Sequence, residues 1–186
     1  KYALYNNYDI AKKLFEENLK YAENLIYVST AKKVSVAYER ASVVAEKMQN
    51  VTVFNSGQVS GGLALMALYA DEQARAGKSV KEIVELLEQF KPRVKTTFLI
   101  DNLSHLAYVG RVSKEVGRLA GTVMMHPVIT MKHDAMVMGG VRFGNMSEAK
   151  EAYIRKILKR KDKIDPKYVF VGYVGLKQSE VTGLEQ

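Results

Sequence analysis

The chain has 186 residues, a formal net charge of +8 and no cysteine. A chain of this length can bury a full core, in one domain or two small ones, without covalent staples. The missing cysteines exclude a disulfide framework and thiolate metal ligands, and fit a reducing cytoplasm.

No apolar run approaches the ~20 residues that span a bilayer. The longest, around Gly61 to Ala70, reads as a buried helix interrupted by Asp71 and Glu72. The chain opens KYALYNNYDIAKKLFEEN, with neither Met nor a signal-peptide pattern, which predicts a fragment of a longer protein.

Helix and strand patterns alternate almost from the start. Ile10, Leu14, Phe15 and Leu19 recur at helical spacing, predicting a helix over Asp9 to Tyr21. LIYVS (Leu25 to Ser29) is a continuous apolar run of strand length. Val34, Ala37, Ala41, Val44 and Met48 give a second helix, and VTVF (Val51 to Phe54) a short β-branched strand. A Ser/Gly-rich turn then feeds a third helix to about Ala76, closed by Gly77. Ser79 with Glu82 is a capping-box signature for the next helix, to about Phe90. Pro92 marks a break, and the domain boundary is placed there, dividing residues 1–93 from 94–186.

The second half begins with TTFLI (Thr96 to Ile100). A turn carrying Gly110 and Arg111 follows, then a helix from Ser113. His126 to Lys132 and Ala135 to Phe143 read as a β-hairpin around His133-Asp134. Ser147 is the predicted cap of a long helix to about Lys161. Lys167 to Val174 reads as a further buried strand, and Ser179 as the start of a last helix. This order predicts an α/β fold in two lobes.

Two strand-to-helix junctions carry the chemistry. The first, Asn55-Ser56-Gly57 with Ser60-Gly61-Gly62, either offers amides and hydroxyls to an anion or uses its glycines for tight helix-on-sheet packing. It is neither a Walker loop nor a dinucleotide fingerprint. The second sets Arg111 where a strand ends and a helix begins, the edge at which α/β folds bind ligands. Its guanidinium either clamps a carboxylate or phosphate, or caps carbonyls of the preceding turn.

His105, His126 and His133 have no acidic cluster in sequence, so no metal site is expected. His126 and His133 should face opposite sides of a strand. No Ser stands with a His and an Asp in a recognisable order, so the chain is read as a non-enzyme without a cofactor. Met124, Met125, Met131, Met136 and Met138 either pack an irregular apolar ligand or fill core gaps. The basic run from Lys150 to Lys163 is either a docking face for an acidic partner or nucleic acid, or the solvated face of an amphipathic helix.

The two junctions, their order and their spacing make the chain similar to the DegV family of bacterial proteins, from about Tyr8 to Gly175. Phe98 to Ser113 resembles the family's F-x-x-D-x-L-x-x-L-x-x-G-G-R-[IV]-S element and is the specific landmark. Weaker ones are the SGTY-like Ser35-Val36-Ala37-Tyr38, the turn Asn55-Ser56 with Ser60 and Gly62, Pro127-Val128-Ile129, and Val141-Arg142. The chain departs from the pattern at Val36 and Ala37, which lose a Gly and a Thr. It departs again at Asn55, in place of Asp, and at Tyr173-Val174-Gly175, in place of His-x-Gly. It lacks the N-terminal lobe's opening with its Thr-Ser-rich turn and stops before the Gly-rich C-terminal element.

The resemblance implies two α/β lobes with an acyl-ligand cleft between them, the N-terminal lobe incomplete. It implies a long-chain fatty acid as ligand, its carboxylate held by hydroxyls and a basic group. The positions so implicated are Ser29, Ser35, Ser56, Ser60, Gly61, Phe98, Arg111 and Tyr173. Some family members hand the acid to a kinase subunit, so a kinase subunit or another acidic protein is the expected partner; nucleic acid is not. The alternative is a regulatory or protein-interaction domain that keeps the fold without the ligand.

Overall fold

The computed structural model describes residues 7–101, 108 and 124–175. The first half builds α1 (Asn7–Asn18), β1 (Leu25–Ser29), α2 (Ala37–Ala45), β2 (Val51–Asn55), α3 (Ser60–Arg75) and α4 (Val80–Phe90). β1 and β2 run parallel, Leu25 opposite Val51 and Ser29 opposite Asn55. Side chains alternate across a strand, and the alternation is visible in the packing. Leu25, Tyr27 and Val51 face Phe15 and Ala41 on the α1–α2 side. Ile26, Val28 and Phe54 face Met66, Ile83 and Leu87 on the α3–α4 side. The two-stranded sheet is therefore covered on both faces, which is why LIYVS is apolar throughout.

Local signals set the helix ends. Gly77, at φ +78°, ends α3 with Gly77 N bonded to Ala74 O at 2.9 Å and Lys78 N to Gln73 O at 3.2 Å, a Schellman closure. Ser79 and Glu82 form the predicted capping box on α4. α3 is amphipathic rather than wholly buried: Gly62, Met66 and Ala70 face inward while Leu68 is exposed.

The second half carries β3 (Thr97–Leu99), β4 (Met125–Lys132), β5 (Ala135–Phe143) and α5 (Met146–Leu158), with the strands antiparallel in that order. The hairpin turn places His133 and Asp134 at φ 49° and 65°, the pair of left-handed conformations that a two-residue loop needs to follow strand twist. A bulge between Val128 and Ile129 leaves Gly139 as the extra residue on β5. Ala149 seats α5 against the sheet with no exposed surface. Tyr153 bonds Thr97, and burial pushes its hydroxyl pKa up.

Three expectations are corrected. Asn145, not Ser147, caps α5: its side chain accepts from Glu148 N at 3.1 Å while Glu148 bonds back at 2.9 Å, a complete capping box one residue before the helix. The second helix begins at Ala37, since Val34 and Ser35 spend their amides on a turn to Ala31 O. Lys167 to Val174 is not a buried strand. Pro166–Tyr168 forms a 3-10 turn, and Val169, Val171 and Val174 are exposed. β-branched composition favours an extended backbone, but a strand needs a neighbour to pair with, and this segment pairs with none of the described strands. The helices predicted from Ser113 and Ser179 lie outside the described residues.

α3 meets the approach to β3 at Gly62. A Cβ there would collide with the Thr96 hydroxyl, which donates to Gln58 Oε1 at 2.7 Å. Gly62→Ala is therefore expected to break this bond and lower stability by roughly 1–3 kcal/mol, the cost of overpacking. Urea unfolding at unchanged m-value checks it; a variant as stable as the parent would show that the contact yields.

Candidate ligand-binding site

Parallel strands end together, so β1 and β2 deliver Ser29 and Asn55 side by side to one edge. The turns leaving that edge carry four of the predicted hydroxyls. Ser29 is fully buried, and its Oγ donates to Thr30 O at 3.1 Å. Its carbonyl accepts from Ser56 N at 3.1 Å. Ser56 is fully buried too; its Oγ accepts from Gln58 N at 3.0 Å and donates to Gln58 O at 3.3 Å. Ser35 Oγ accepts from Ala37 N at 3.2 Å, opening α2. Ser60, exposed and at φ 48°, starts α3, whose N-cap Val59 supplies no side-chain cap.

Asn55, in the place of the family's Asp, does an acceptor's work. Its Oδ1 takes Lys32 N at 3.2 Å and Gly57 N at 3.3 Å. Lys91 brings a cation to the same edge: its Nζ donates to Asn55 O at 2.8 Å and lies 5.5 Å from the Phe54 ring centroid. Gly57, at φ +66°, is pinched between Lys91 and Asp134, so the hairpin tip reaches this turn. Sequence reasoning missed Lys91, Asp134 and Gln58. Lys91 reads in sequence only as a basic residue after an amphipathic helix, and nothing local says which carbonyl it will find.

The remaining predicted residues fall elsewhere. Gly61 is in contact with the ring of Phe170, a residue absent from the predicted set. Phe98, on β3 opposite Ile129, is half-buried. Tyr173 lies in the irregular segment after Tyr168, about half exposed. Arg111 lies outside the described residues. Met124 and Met138 are exposed, so gap-filling does not describe them.

His133 sits in the hairpin turn rather than in a strand. His126, 7% exposed, has a carboxylate neighbour that the sequence did not reveal, Asp101 Oδ1 at 3.4 Å from Nδ1. Its Nε2 is 3.0 Å from Gly144 O, and because a carbonyl only accepts, that nitrogen carries a proton. No group of three metal-ligating side chains occurs among the described residues.

A groove of about 730 Å³ lies on the second half, lined by Arg142, Arg155, Lys156, Lys159 and Arg160 with Glu148 and Glu151. It is a cationic groove remote in sequence from the strand-end turns. Its carboxylates do not offset the five cations.

Across the molecule, Glu72 on α3 receives the Tyr168 hydroxyl at 2.6 Å and Lys167 Nζ at 2.9 Å. These bonds hold the Glu72 carboxyl below its ordinary value of 4.5 and push the Lys167 and Tyr168 pKa values up. A lowered carboxylate stabilises the fold above its ordinary pKa and loses that contribution as pH falls through the folded value. A raised tyrosine stabilises below its ordinary value of 10.0 and loses it as pH rises. The contact is thus strongest between those limits. Glu72→Gln should melt below the parent at neutral pH, and the difference should shrink as pH falls below 4.5. Paired thermal melts across pH check this; a difference independent of pH would assign Glu72 no charged role.

Three comparisons bear on what this arrangement is. The family model described as "Uncharacterised protein, DegV family" matches residues 7–186. A DegV domain-containing protein of Deinococcus radiodurans is 28% identical over 127 residues, 68% of this chain and 45% of that protein. One from Clostridium acetobutylicum is 26% identical over 138 residues, 73% of this chain and 50% of its own length. The chain thus spans about half the length of the curated relatives it matches.

Among solved structures, a DegV family protein of Thermus thermophilus described by its fatty acid binding superposes with TM-score 0.69 at 24% identity, covering 83% of this chain and 54% of that one. The Bacillus subtilis DegV, named a fatty acid binding protein, gives 0.68 at 21% identity, covering 84% and 56%. The Streptococcus pneumoniae fatty acid kinase B3 protein, loaded with linoleic acid, gives 0.68 at 18%, covering 80% and 55%. With an α/β fold shared with these structures and a family model running from α1 to the last residue, the chain belongs to the DegV family.

Proposed function

We propose that this protein binds a long-chain fatty acid as a carrier rather than an enzyme, in a cleft between lobes formed by residues 1–93 and 94–186. The observation that carries the reading is a strand edge where Ser29 and Ser56 are bonded together and from which Ser60 opens α3, in a fold whose solved relatives are described as fatty acid binding. The energetics fit such a ligand. Burial contributes about 0.8 kcal/mol per methylene, so a long tail supplies affinity and a few polar groups need only orient the head. Ser29 and Ser56 hydroxyls serve the backbone here, which leaves Ser60 and Arg111 as the head-group candidates. Among the described residues no helix is long and apolar enough to cross a membrane, and a cytoplasmic bacterial carrier is the location proposed.

Native mass spectrometry after gentle purification tests the ligand: an added mass matching a long-chain fatty acid is expected, and a bare protein that also ignores added hexadecanoate overturns the reading. Arg111→Ala should then weaken fatty acid binding by roughly 1.5–3 kcal/mol, the worth of a hydrogen bond to a charged group, without changing the melting temperature. A fall in melting temperature with unchanged affinity would instead assign Arg111 to local carbonyls.

A second reading, an interaction domain, is favoured by the cationic groove on α5 and β5. It proposes an acidic protein partner such as a kinase subunit. Reversing the charges of Lys156, Lys159 and Arg160 should leave stability nearly unchanged, because exposed charges contribute about 0–1 kcal/mol each. The same change should weaken capture of the partner and flatten its salt dependence. Equal recovery from parent and variant across a salt series would reduce the groove to a solvated face.

A further inference from the structure

The segment from Asp165 to Phe170 leaves the α5 side of the molecule and is fastened to α3 and α4. Its first turn is closed locally, Asp165 Oδ1 accepting from Lys167 N at 3.1 Å, and Asp165 also lies 3.9 Å from the Arg93 guanidinium. Tyr168 then sets its ring edge-on against two rings that are themselves stacked 4.2 Å apart. Its centroid is 6.2 Å from Tyr69 and 5.5 Å from Phe90. The Tyr168 hydroxyl and Lys167 ammonium converge on one oxygen of Glu72. Two residues further on, the Phe170 ring lies on Gly61, so close that any side chain at 61 would occupy its space.

This contact is out of character for its surroundings. Val169, Phe170 and Val171 are each more than half exposed, yet the Phe170 ring is applied to Gly61, a position of α3 with no side chain. Gly61 follows Ser60 on the turn proposed above to meet the ligand. An apolar group seated there occupies surface that an acyl chain would otherwise use. The fastening is divided in a way that suits release. Tyr168 holds by aromatic contact, while Glu72 and Lys167 are charges open to solvent, whose pairing is individually weak.

We propose that Phe170 is a self-supplied plug. The Lys167–Phe170 strap covers the Gly61 end of the ligand site in the free chain, and an entering fatty acid displaces it. The Glu72–Tyr168–Lys167 latch sets how often it opens. The inference rests on the fatty acid reading above. A protein competent only when open binds with affinity reduced by its open fraction, so the strap tunes affinity without touching the head group.

Two measurements on the same proteins test it: the dissociation constant for hexadecanoate, and hydrogen exchange at the amides of residues 167–172 with and without that acid. Phe170→Ala should tighten binding by about tenfold, and Tyr168→Phe, which keeps the ring but loses the bond to Glu72, by about threefold, as the open fraction grows. Fatty acid should speed exchange across the strap in the parent chain. Binding by Phe170→Ala alone would mark a plug that is nearly always shut, and supports the inference. Binding by the parent with a strap whose exchange is unchanged or slowed, or weaker binding by Phe170→Ala, overturns the plug and leaves the fatty acid reading standing. Binding by none of the three proteins overturns both.

Discussion

The side chain and backbone of Gln58 hold together most of what matters in this structure. Gln58 is 6% exposed and nearly every polar atom it owns is engaged. Its Nε2 donates to Val94 O at 3.3 Å and its Oε1 accepts from Thr96 at 2.7 Å, which ties β3 to the strand-edge turn. Its amide and carbonyl meet Ser56, and the carbonyl also takes Ala31 N at 2.9 Å. Leaving any one of these groups buried and unpaired would cost about 1–3 kcal/mol. The ends of β1 and β2, the start of α3 and the entry to the second sheet therefore share one set of bonds, and a change at any of them reaches the candidate site.

Charge is distributed with a division of labour. The cations at the strand edge and on the strap are tied to specific acceptors: Lys91 to Asn55 O, Lys167 to Glu72. Those in and just after α5 instead line an open groove, where Arg155 pairs with Glu151. Interactions of the first kind fix geometry, and the partly buried one at Lys91 varies little with salt while the solvent-open Lys167–Glu72 pair is weaker. Those of the second kind attract from a distance and fade within a Debye length.

Parts of the fold were legible because their causes are local. LIYVS and VTVF announced strands, and β1 and β2 stand there. Gly77, the Ser79–Glu82 box and the His133-Asp134 turn were readable because a few adjacent residues satisfy the backbone among themselves. Ser147 misled because Asn145 offers the same capping chemistry two residues earlier, and backbone geometry decides between them. The strand predicted over Lys167 to Val174 failed for a different reason: extended propensity is local, but pairing is not.

The candidate site divides along the same line. The sequence by itself determined that a strand-to-helix junction follows VTVF, that hydroxyls and glycines crowd it, and that the family is DegV, because spacing along a chain is enough for each. Only the tertiary structure decided that Ser29 and Ser56 turn their hydroxyls to the backbone, that Lys91 caps the edge of β2, and that Phe170 lies on Gly61. Residues 36 apart for Lys91 and Asn55, and 96 apart for Tyr168 and Glu72, meet only when whole elements have packed. A side chain's partner is chosen by that packing, and no periodicity in the sequence encodes it.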